Sequence, residues 1–482
     1  CCLTGHDLST TKSKILHVCN NSHKMTLKPI KIKSDIIPNA RAVNILGVII
    51  DSRLKFRQHF LYVKKMIKSR LNILHMLGCC GNKRSARHTL LTIFNSLHYQ
   101  GANFGCKLAP MYHSALKITG AFITSPNTAI LCESGQLPLD HVVVLKLENL
   151  AGRLIEKGIE ANYFVDRANK VLRQLTGHCM PNIAKLTSYS TRPWYDKIPT
   201  IDWTLQKLSK HKQQIVQNYQ MRIVNKYYNK IYSDGSVYNS SAGCGITSPN
   251  ARCSIKLSEN TSIFSAEAIA IMIATEEATV NDRPNVIFTD SASVLEKGPI
   301  RNPYTETIES LLKVNFCWIP GHKGIAGNEV ADRLANESRM IKDHVDGTIS
   351  RSDASLWWKV LLNQSWQNIW NKSPITNLKI KQTTAPWNDP LDHSDQRVLT
   401  RLRIGHTRLA HTYKLKKESP SICPFCGCDT TVEHILINCF GYSAERKRHR
   451  LGEHLDIVLS NNYNEIEKLL NFLKDTNLYK QV

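Results

Sequence analysis

Apolar and polar positions along the 482-residue chain change their period several times. The run VNILGVII at 43–50 has the length of a short buried strand and is stopped by Asp51-Ser52. From about 57 to 77, Val63, Ile67, Leu71 and Leu74 recur at helical spacing, with Lys64, Lys65, Lys68 and Arg70 between them. Helical periodicity, interrupted by Gly and Pro, continues to about 177. A helical bundle with a solvated basic face fits this pattern, and so does a bundle that tracks a phosphate backbone. Residues 178–225 carry Pro181, Pro193 and Pro199 and then a stretch rich in Lys and Gln, as a linker does.

The next segment changes character. IYS (231–233), GCGI (243–246) and CSIKL (253–257) predict three short strands, and IFSAEAIAIMIATEEA (263–278) predicts a helix. VIFT (286–289) and VNFCWI (314–319) predict two further strands, and GNEVADRLANES (327–338) a closing helix in which Val330 and Leu334 share a face. Five strands interleaved with helices make a mixed α/β sheet. From 341 onward come Trp-containing helical segments, a Pro-broken loop near 374–390, a cysteine cluster and a final helical stretch at about 463–474.

Charge sharpens these divisions. Residues 1–230 hold 34 Lys and Arg against 11 Asp and Glu, a net +23. Residues 231–340 hold 9 against 13, a net −4, and 341–482 hold 20 against 15, a net +5. A +23 segment is the footprint of a polyanion binder, with nucleic acid favoured over a membrane surface because no basic stretch alternates with a broad Trp/Phe face. No apolar run reaches the roughly 18 residues of a membrane span. Of the 15 cysteines, eleven are scattered and four cluster at 423–439, which suits buried thiols in a reducing, intracellular compartment plus one metal site. The chain opens on Cys1-Cys2 rather than Met, and reads as a truncated coding region.

The acidic middle segment needs its own explanation. Asp234 follows an apolar strand in YSDGS, with Gly235 allowing a tight turn, and Asp290 follows VIFT in the same way. Side by side in parallel strands, both carboxylates emerge at the same end of the sheet, where ligands of open α/β sheets collect. Glu267 sits in an apolar helix, where an unpaired acid costs several kcal/mol unless it meets an ion or partner. Asp332 is expected in the first turn of the last helix, where the dipole favours an acid. Converging carboxylates repel one another unless cations neutralise them, so the four make a natural site for divalent cations.

In order, YSDGS, SAEAIAI, FTDSAS and WIPGHKGIAGNEVADRLA resemble the signature blocks of type 1 ribonuclease H. The resemblance spans 226–340 and implies a ribonuclease H-like mixed five-stranded sheet with helices. It implies that Asp234, Glu267, Asp290 and Asp332 bind two Mg²⁺ or Mn²⁺ ions and hydrolyse the RNA strand of an RNA–DNA hybrid, and that His322 assists proton transfer and product release. Only residues 291–313 separate the Asp290 block from the strand leading to Trp318. Cellular members of the family are longer there and carry a basic protrusion, so here the +23 segment, with Lys64, Lys65, Lys68 and Arg70, is the candidate grip on nucleic acid.

The flanks, through VNILGVIIDSRLKFRQH and TSPNTAILCESGQLPL (124–139), resemble reverse transcriptase polyproteins of non-LTR, jockey-like retrotransposons. That likeness implies a palm remnant at 1–60, an α-helical thumb-like region at 61–180, a linker at 181–225 and a helical tail at 341–482. No Asp-Asp dipeptide occurs in the chain, so polymerase activity is not expected. In the tail, CPFCGCDTTVEHILINC spaces Cys423, Cys426, His434 and Cys439 as a zinc knuckle with one Zn²⁺, a buried reduced cluster being the alternative. Basic runs at 401–408 (RLRIGHTR) and 445–450 (ERKRHR) flank it and suggest nucleic-acid contact. The alternative to a nuclease is a non-catalytic nucleic-acid-binding fragment; neither reading calls for a membrane or a small-molecule cofactor.

Overall fold

The computed structural model describes residues 13–18, 30–32, 35–45, 48–59, 61–62, 65–66, 119–122, 124–159, 162–185, 201–207, 228–278, 284–296, 314–341, 347–372, 380–387, 391–416 and 418–482. The chain divides into two compact units, Val144–Ser365 and a discontinuous one of Cys1–Val143 with Trp366–Val482. No helix among the described residues is long and apolar enough to cross a membrane.

The first unit is built on a six-stranded sheet. Its strands are β1 (Ile201–Asp202), β2 (Asn229–Tyr238), β3 (Ser241–Thr247), β4 (Arg252–Leu257), β5 (Asn285–Thr289) and β6 (Val314–Trp318), in the order β1-β6-β5-β2-β3-β4. β1, β6, β5 and β2 run parallel to their neighbours, whereas β2-β3 and β3-β4 are antiparallel. The sheet therefore has one strand more than the five expected. The sixth comes from the stretch read as a linker, where Ile201 pairs with Phe316 and Leu205 is buried. Within the same stretch, Asn182–Ile183 pairs in parallel with Thr348–Ile349.

Helices α1 (Ile263–Ala278), α2 (Ala292–Glu296) and α3 (Ala326–Ser338) complete this fold. α1 begins where the Ser262 Oγ accepts the Ser265 N–H, which satisfies one of the helix's otherwise open donors. Ala266, Ala268, Ile269, Ala270, Ile271 and Ala274 are all buried, and they pack with Ile231, Ile246, Ile287 and Phe316 of the sheet. Truncating one of the isoleucines, Ile271→Ala, costs about 2–5 kcal/mol through lost burial and a residual cavity.

α3 docks through its small residues. Its buried face is Asn328, Ala331, Ala335 and Ser338, while Val330 and Leu334 are only half-buried. The reason lies opposite, on β3. A Cβ at Gly243 would overlap Ser338, and one at Gly245 would overlap the backbone at Ala331 and Ala335. Small residues on both sides let helix and sheet backbones approach closely.

A second core in this unit joins Val144, Leu172, Ile183, Ile349, Ala354, Trp358 and Leu362. They come from the helices Leu139–Glu156, Asn162–Thr176 and Arg351–Asn371 and from the paired strands Asn182–Ile183 and Thr348–Ile349, and the Arg351–Glu156 side chains form an ion pair at 2.8 Å.

In the other unit, VNILGVII is an antiparallel pair, Ala42–Ile45 with Val48–Asp51, rather than one buried strand. Its residues are half-buried or exposed, so it covers no core on both faces. The helix expected at about 57–77 is seen at 57–59, 61–62 and 65–66, and its remaining residues lie outside the described ones. The segment 124–139 forms the helix Asn127–Ser134, ended by Gly135 in the left-handed conformation. Ala129, Ile130 and Cys132 of that helix pack on Trp366, Trp370 and Ile404. The Lys381 ammonium donates to the Cys132 carbonyl, and the Trp387 indole to Glu133. The final helix, Tyr463–Asp475, buries Ile466, Leu469, Leu470, Phe472 and Leu473 against Leu399, Leu402, Leu436 and Leu459.

Candidate active site

The register of the parallel strands decides where the acids meet. Asn285 stands opposite Asn229 and Phe288 opposite Tyr232, so Asp290, just past β5, comes level with Asp234. Asp234 does not end its strand as expected. β2 continues through it to Tyr238, and Asp234 pairs with Gly245 of β3. Gly235 therefore serves close approach and not a turn, because a Cβ there would overlap the α1 backbone at Ala266 and Glu267. That approach brings the Glu267 side chain over the strand.

Asp234, Glu267 and Asp290 each offer a carboxylate oxygen within 4.8 Å of the others. Asp234 is 7% exposed and Glu267 8%. Burial, and then the charges of Asp290 and Asp332, push the Asp234 carboxyl up to about 8. Burial, followed by Asp234 and Asp290, raises Glu267 well above the usual carboxylate range. Burial also raises Asp290, partly offset by the Asn328 side-chain amide, whose Nδ2 donates to Asp290 Oδ2 at 3.4 Å. The Asp290 carbonyl accepts the Trp318 indole N–H at 3.1 Å, which fixes the backbone where β5 ends. Glu267 Oε2 is buried with no hydrogen-bond partner among the described residues. Three acids that resist ionisation together, with one oxygen left unsatisfied, fit a divalent cation.

Asp332 lies in the second turn of α3, because the helix starts at Ala326; the acid of the first turn is Glu329. Its Oδ2 is 3.8 Å from His322 Nδ1, and its Oδ1 accepts from Asn336 Nδ2 at 2.8 Å. His322, Glu329 and Asp332 form a second, more exposed cluster within 4.8 Å. His322 sits at φ 51 with its side chain 80% exposed, and Gly324, at φ 73, donates its N–H to Glu329. Asn328, Glu329 and Asn336 escaped the sequence reading. Asn336 carries one usable signal, its i+4 spacing from Asp332 on a helix.

The four cluster residues of the tail also come together. One ligand atom from each of Cys423, Cys426, His434 and Cys439 lies within 4.8 Å of the rest, with Cys439 Sγ at 3.6 Å from Cys423 Sγ and 3.8 Å from Cys426 Sγ. Burial opposes ionisation of Cys423, but hydrogen bonds from His434 and the backbone N–H groups of Phe425 and Cys426 bring it down to about 6. Burial and Cys423 raise Cys439 to about 11. Crowded thiols of such unequal acidity, beside an imidazole, fit a soft tetrahedral cation. Cys428 is the nearby spare thiol, 3.4 Å from His434 Nδ1.

The basic residues divide. Lys65 is exposed, and the side chains of Lys64, Lys68 and Arg70 lie outside the described residues. In the run 401–408, Arg403 is 1% exposed and donates to the Leu459 and Ser460 carbonyls, while Arg401 donates to Gly120 and Val482. These two guanidinium groups hold chain segments together and are not offered to nucleic acid. In the second run, Lys447, Arg448 and Arg450 are exposed.

The segment that carries the acid cluster also resembles known proteins. Residues 226–340 match the RNase H family. The Pol polyprotein of equine infectious anemia virus, strain Wyoming, is 33% identical over 129 residues, covering 24% of this chain and 11% of the viral protein. The protein of isolate 1369 is 32% identical over the same length and shares. The chain thus spans about a tenth of the length of these relatives. Among solved structures, a foamy viral protease-reverse transcriptase in complex with dsDNA is similar at 23% identity and a TM-score of 0.22, over 24% of this chain and 96% of that one. The PFV RNase H domain is similar at 21% identity and a TM-score of 0.21, over 24% and 95%. With the acids gathered on one end of this mixed sheet and the family match laid over the same residues, residues 226–340 are an RNase H domain.

Proposed function

We propose that this chain hydrolyses the RNA strand of RNA–DNA hybrids, with Asp234, Glu267, Asp290 and Asp332 holding two divalent cations. The observation that carries the reading is the trio of carboxylates within 4.8 Å, two of them buried, one oxygen of which has no partner among the described residues. When bound, two Mg²⁺ or Mn²⁺ ions would supply an activated water and charge stabilisation of the leaving oxygen.

The protein's own groups divide the remaining work. Asp234 and Asp290, level on adjacent parallel strands, fix the spacing of the site from the rigid sheet. Glu267 closes it from α1, and Asp332 opens it toward solvent, where a phosphodiester can enter. His322, exposed and 3.8 Å from Asp332, is placed to take up or deliver a proton at its Nδ1 as the RNA 3′-oxygen leaves. Recognition of the hybrid rests on A-form-like groove shape and the 2′-hydroxyl rather than sequence.

The flanking motifs support a wider context, a fragment of a non-LTR retrotransposon polyprotein whose helical flank and basic residues grip nucleic acid. In the same reading Cys423, Cys426, His434 and Cys439 hold one Zn²⁺, which organises a segment too short for a core of its own.

The deciding experiment is cleavage of a fluorescent RNA–DNA hybrid by the full chain with and without Mg²⁺, beside single-stranded and duplex RNA controls. Mg²⁺-dependent cleavage of the hybrid alone is expected. Binding without cleavage at any Mg²⁺ or Mn²⁺ concentration would put the non-catalytic binding fragment in its place.

A further inference from the structure

Asp332 is held differently from the other three acids. Its side chain is 26% exposed, and no wall of α1 or of the sheet encloses it as Glu267 is enclosed. Its carboxylate is instead tied down by Asn336, one turn later on α3, whose Nδ2 donates to Asp332 Oδ1 at 2.8 Å and to the Asp332 carbonyl at 2.9 Å.

The amide of Asn336 has only one workable orientation. Its Oδ1 accepts from Ser236 Oγ at 2.7 Å and from Arg339 Nη2 at 2.8 Å. Turned over, the amide would set its NH₂ against the Arg339 donor and its oxygen against the Asp332 carboxylate. Ser236 lies two residues beyond Asp234 on β2 and hence on the same face of the strand. A short path therefore runs from Asp234 along the strand to Ser236, across Asn336, and back to Asp332.

We propose that Asn336 is a positioning residue: through Ser236 it sets the Asp332 carboxylate against Asp234 and thereby tunes the cation that those two acids share. The proposal rests on the hydrolytic reading and adds to it a residue outside the acid quartet. A neutral donor on Oδ1 leaves Oδ2, which lies 3.8 Å from His322 Nδ1, unblocked by Asn336, and adds no charge beside the Asp234 carboxyl that Asp332 already perturbs. Outer partners of this kind set ligand orientation, and their loss typically costs about 10–100-fold in metal affinity or activity.

The test uses the full chain and four variants, N336A, N336D, S236A and the double variant of N336A with S236A. Asp is isosteric with Asn and keeps acceptors for Ser236 and Arg339, but it cannot donate to Asp332. Mn²⁺ binding is measured by calorimetry without nucleic acid, and hybrid cleavage is measured against Mg²⁺ concentration. N336A should weaken Mn²⁺ binding about tenfold and raise the Mg²⁺ half-saturation by a similar factor, with KM for the hybrid unchanged. S236A should move both in the same direction by less, and the double variant should be no worse than N336A, because the two side chains act in series.

N336A within twofold of wild type in Mn²⁺ binding overturns the proposal. Should N336A fail to fold, the isosteric N336D decides: lowered cleavage at saturating Mg²⁺ with unchanged KM supports the role, and wild-type cleavage overturns it. A wild-type chain that binds Mn²⁺ yet leaves the hybrid intact removes the hydrolytic reading, and the Mn²⁺ arm still decides on Asn336.

Discussion

The acid cluster of the RNase H domain and the cysteine–histidine cluster of the tail are both groups of crowded ligand atoms, yet they are assembled in opposite ways. The four acids come from residues 234, 267, 290 and 332, carried by two strands and two helices whose mutual placement is set by a large apolar core. The four tail residues come from one 17-residue stretch, 423–439, in which two separate backbone turns, closed by Gly427 N–H to Cys423 and Cys439 N–H to His434, bring the ligands round while Val432, Ile435 and Leu436 anchor the stretch in an apolar core. In the proposed reading the fold exists before the metal and makes the first site, whereas at the second the metal makes much of the local fold. A site of the first kind loses chemistry when a ligand is changed, whereas one of the second kind loses structure.

The largest expected effect tests the tail. Cys426→Ser should take zinc from one per chain to none by metal analysis, and amide exchange should become fast across 421–442. Zinc retained at full stoichiometry would reject the ligand set. The same variant should still bind Mn²⁺ at the acids, which is the sharper half of the comparison.

Next comes Asp290→Asn, which keeps size and hydrogen bonding but removes one negative charge. Losing several kcal/mol of transition-state stabilisation lowers hybrid cleavage on the order of a thousandfold. Affinity for the hybrid should be unchanged or slightly tighter, since a charge that repels phosphate is gone. Amide exchange in α1 and β5 should match wild type. Cleavage within tenfold of wild type would sink the four-carboxylate mechanism.

A pH effect of middle size separates the two clusters without mutation. Burial raises the folded-state Asp234 carboxyl from near 3.8 to about 8, and Glu267 and Asp290 shift the same way. For groups raised on folding, the stabilisation is complete below the unfolded value and is lost as pH climbs through the folded one. The metal-free domain should therefore grow less protected from hydrogen exchange between pH 5 and 9, and Mg²⁺ should restore protection most at the alkaline end. Equal protection at pH 5 and pH 9 without metal would argue that the acids ionise freely.

The smallest effect concerns substrate grip. A fragment spanning 144–365 keeps the whole sheet with β1 and should bind hybrid more weakly than the full chain. Its salt dependence should be shallower, because fewer phosphates are neutralised. Equal slopes would exclude the basic flank as a grip.

Much of the domain was legible because its strands are short apolar runs and its central helix is apolar on nearly all sides. β1 was not, since two residues carry no periodicity and only Ile201 and Leu205 betray it among prolines. Which face of α3 docks was not legible either, since Val330 and Leu334 share the apolar face whereas proximity to a glycine-bearing strand selects Ala331 and Ala335. Arg401 and Arg403 were misread for a related reason. Charge in a sequence says nothing about whether carbonyls wait nearby, and here buried carbonyls take both guanidinium groups. Asp234 joins Glu267 and Asp290, but the glycine after it, read as a turn residue, serves a crossing helix invisible to local pattern.

The matched register of β2 and β5 has a consequence for insertions and deletions. Five steps separate Asn229 from Asp234 and five separate Asn285 from Asp290, the two strands starting level. Side chains alternate along a strand, so removing one residue from either count turns that carboxylate to the opposite face of the sheet while its neighbour stays. A one-residue length change there would break up the trio of carboxylates without altering a single acid in the sequence. In copies of this coding region that carry small in-frame gaps, the spacing within these two runs is thus a stricter test of function than the presence of the four acids.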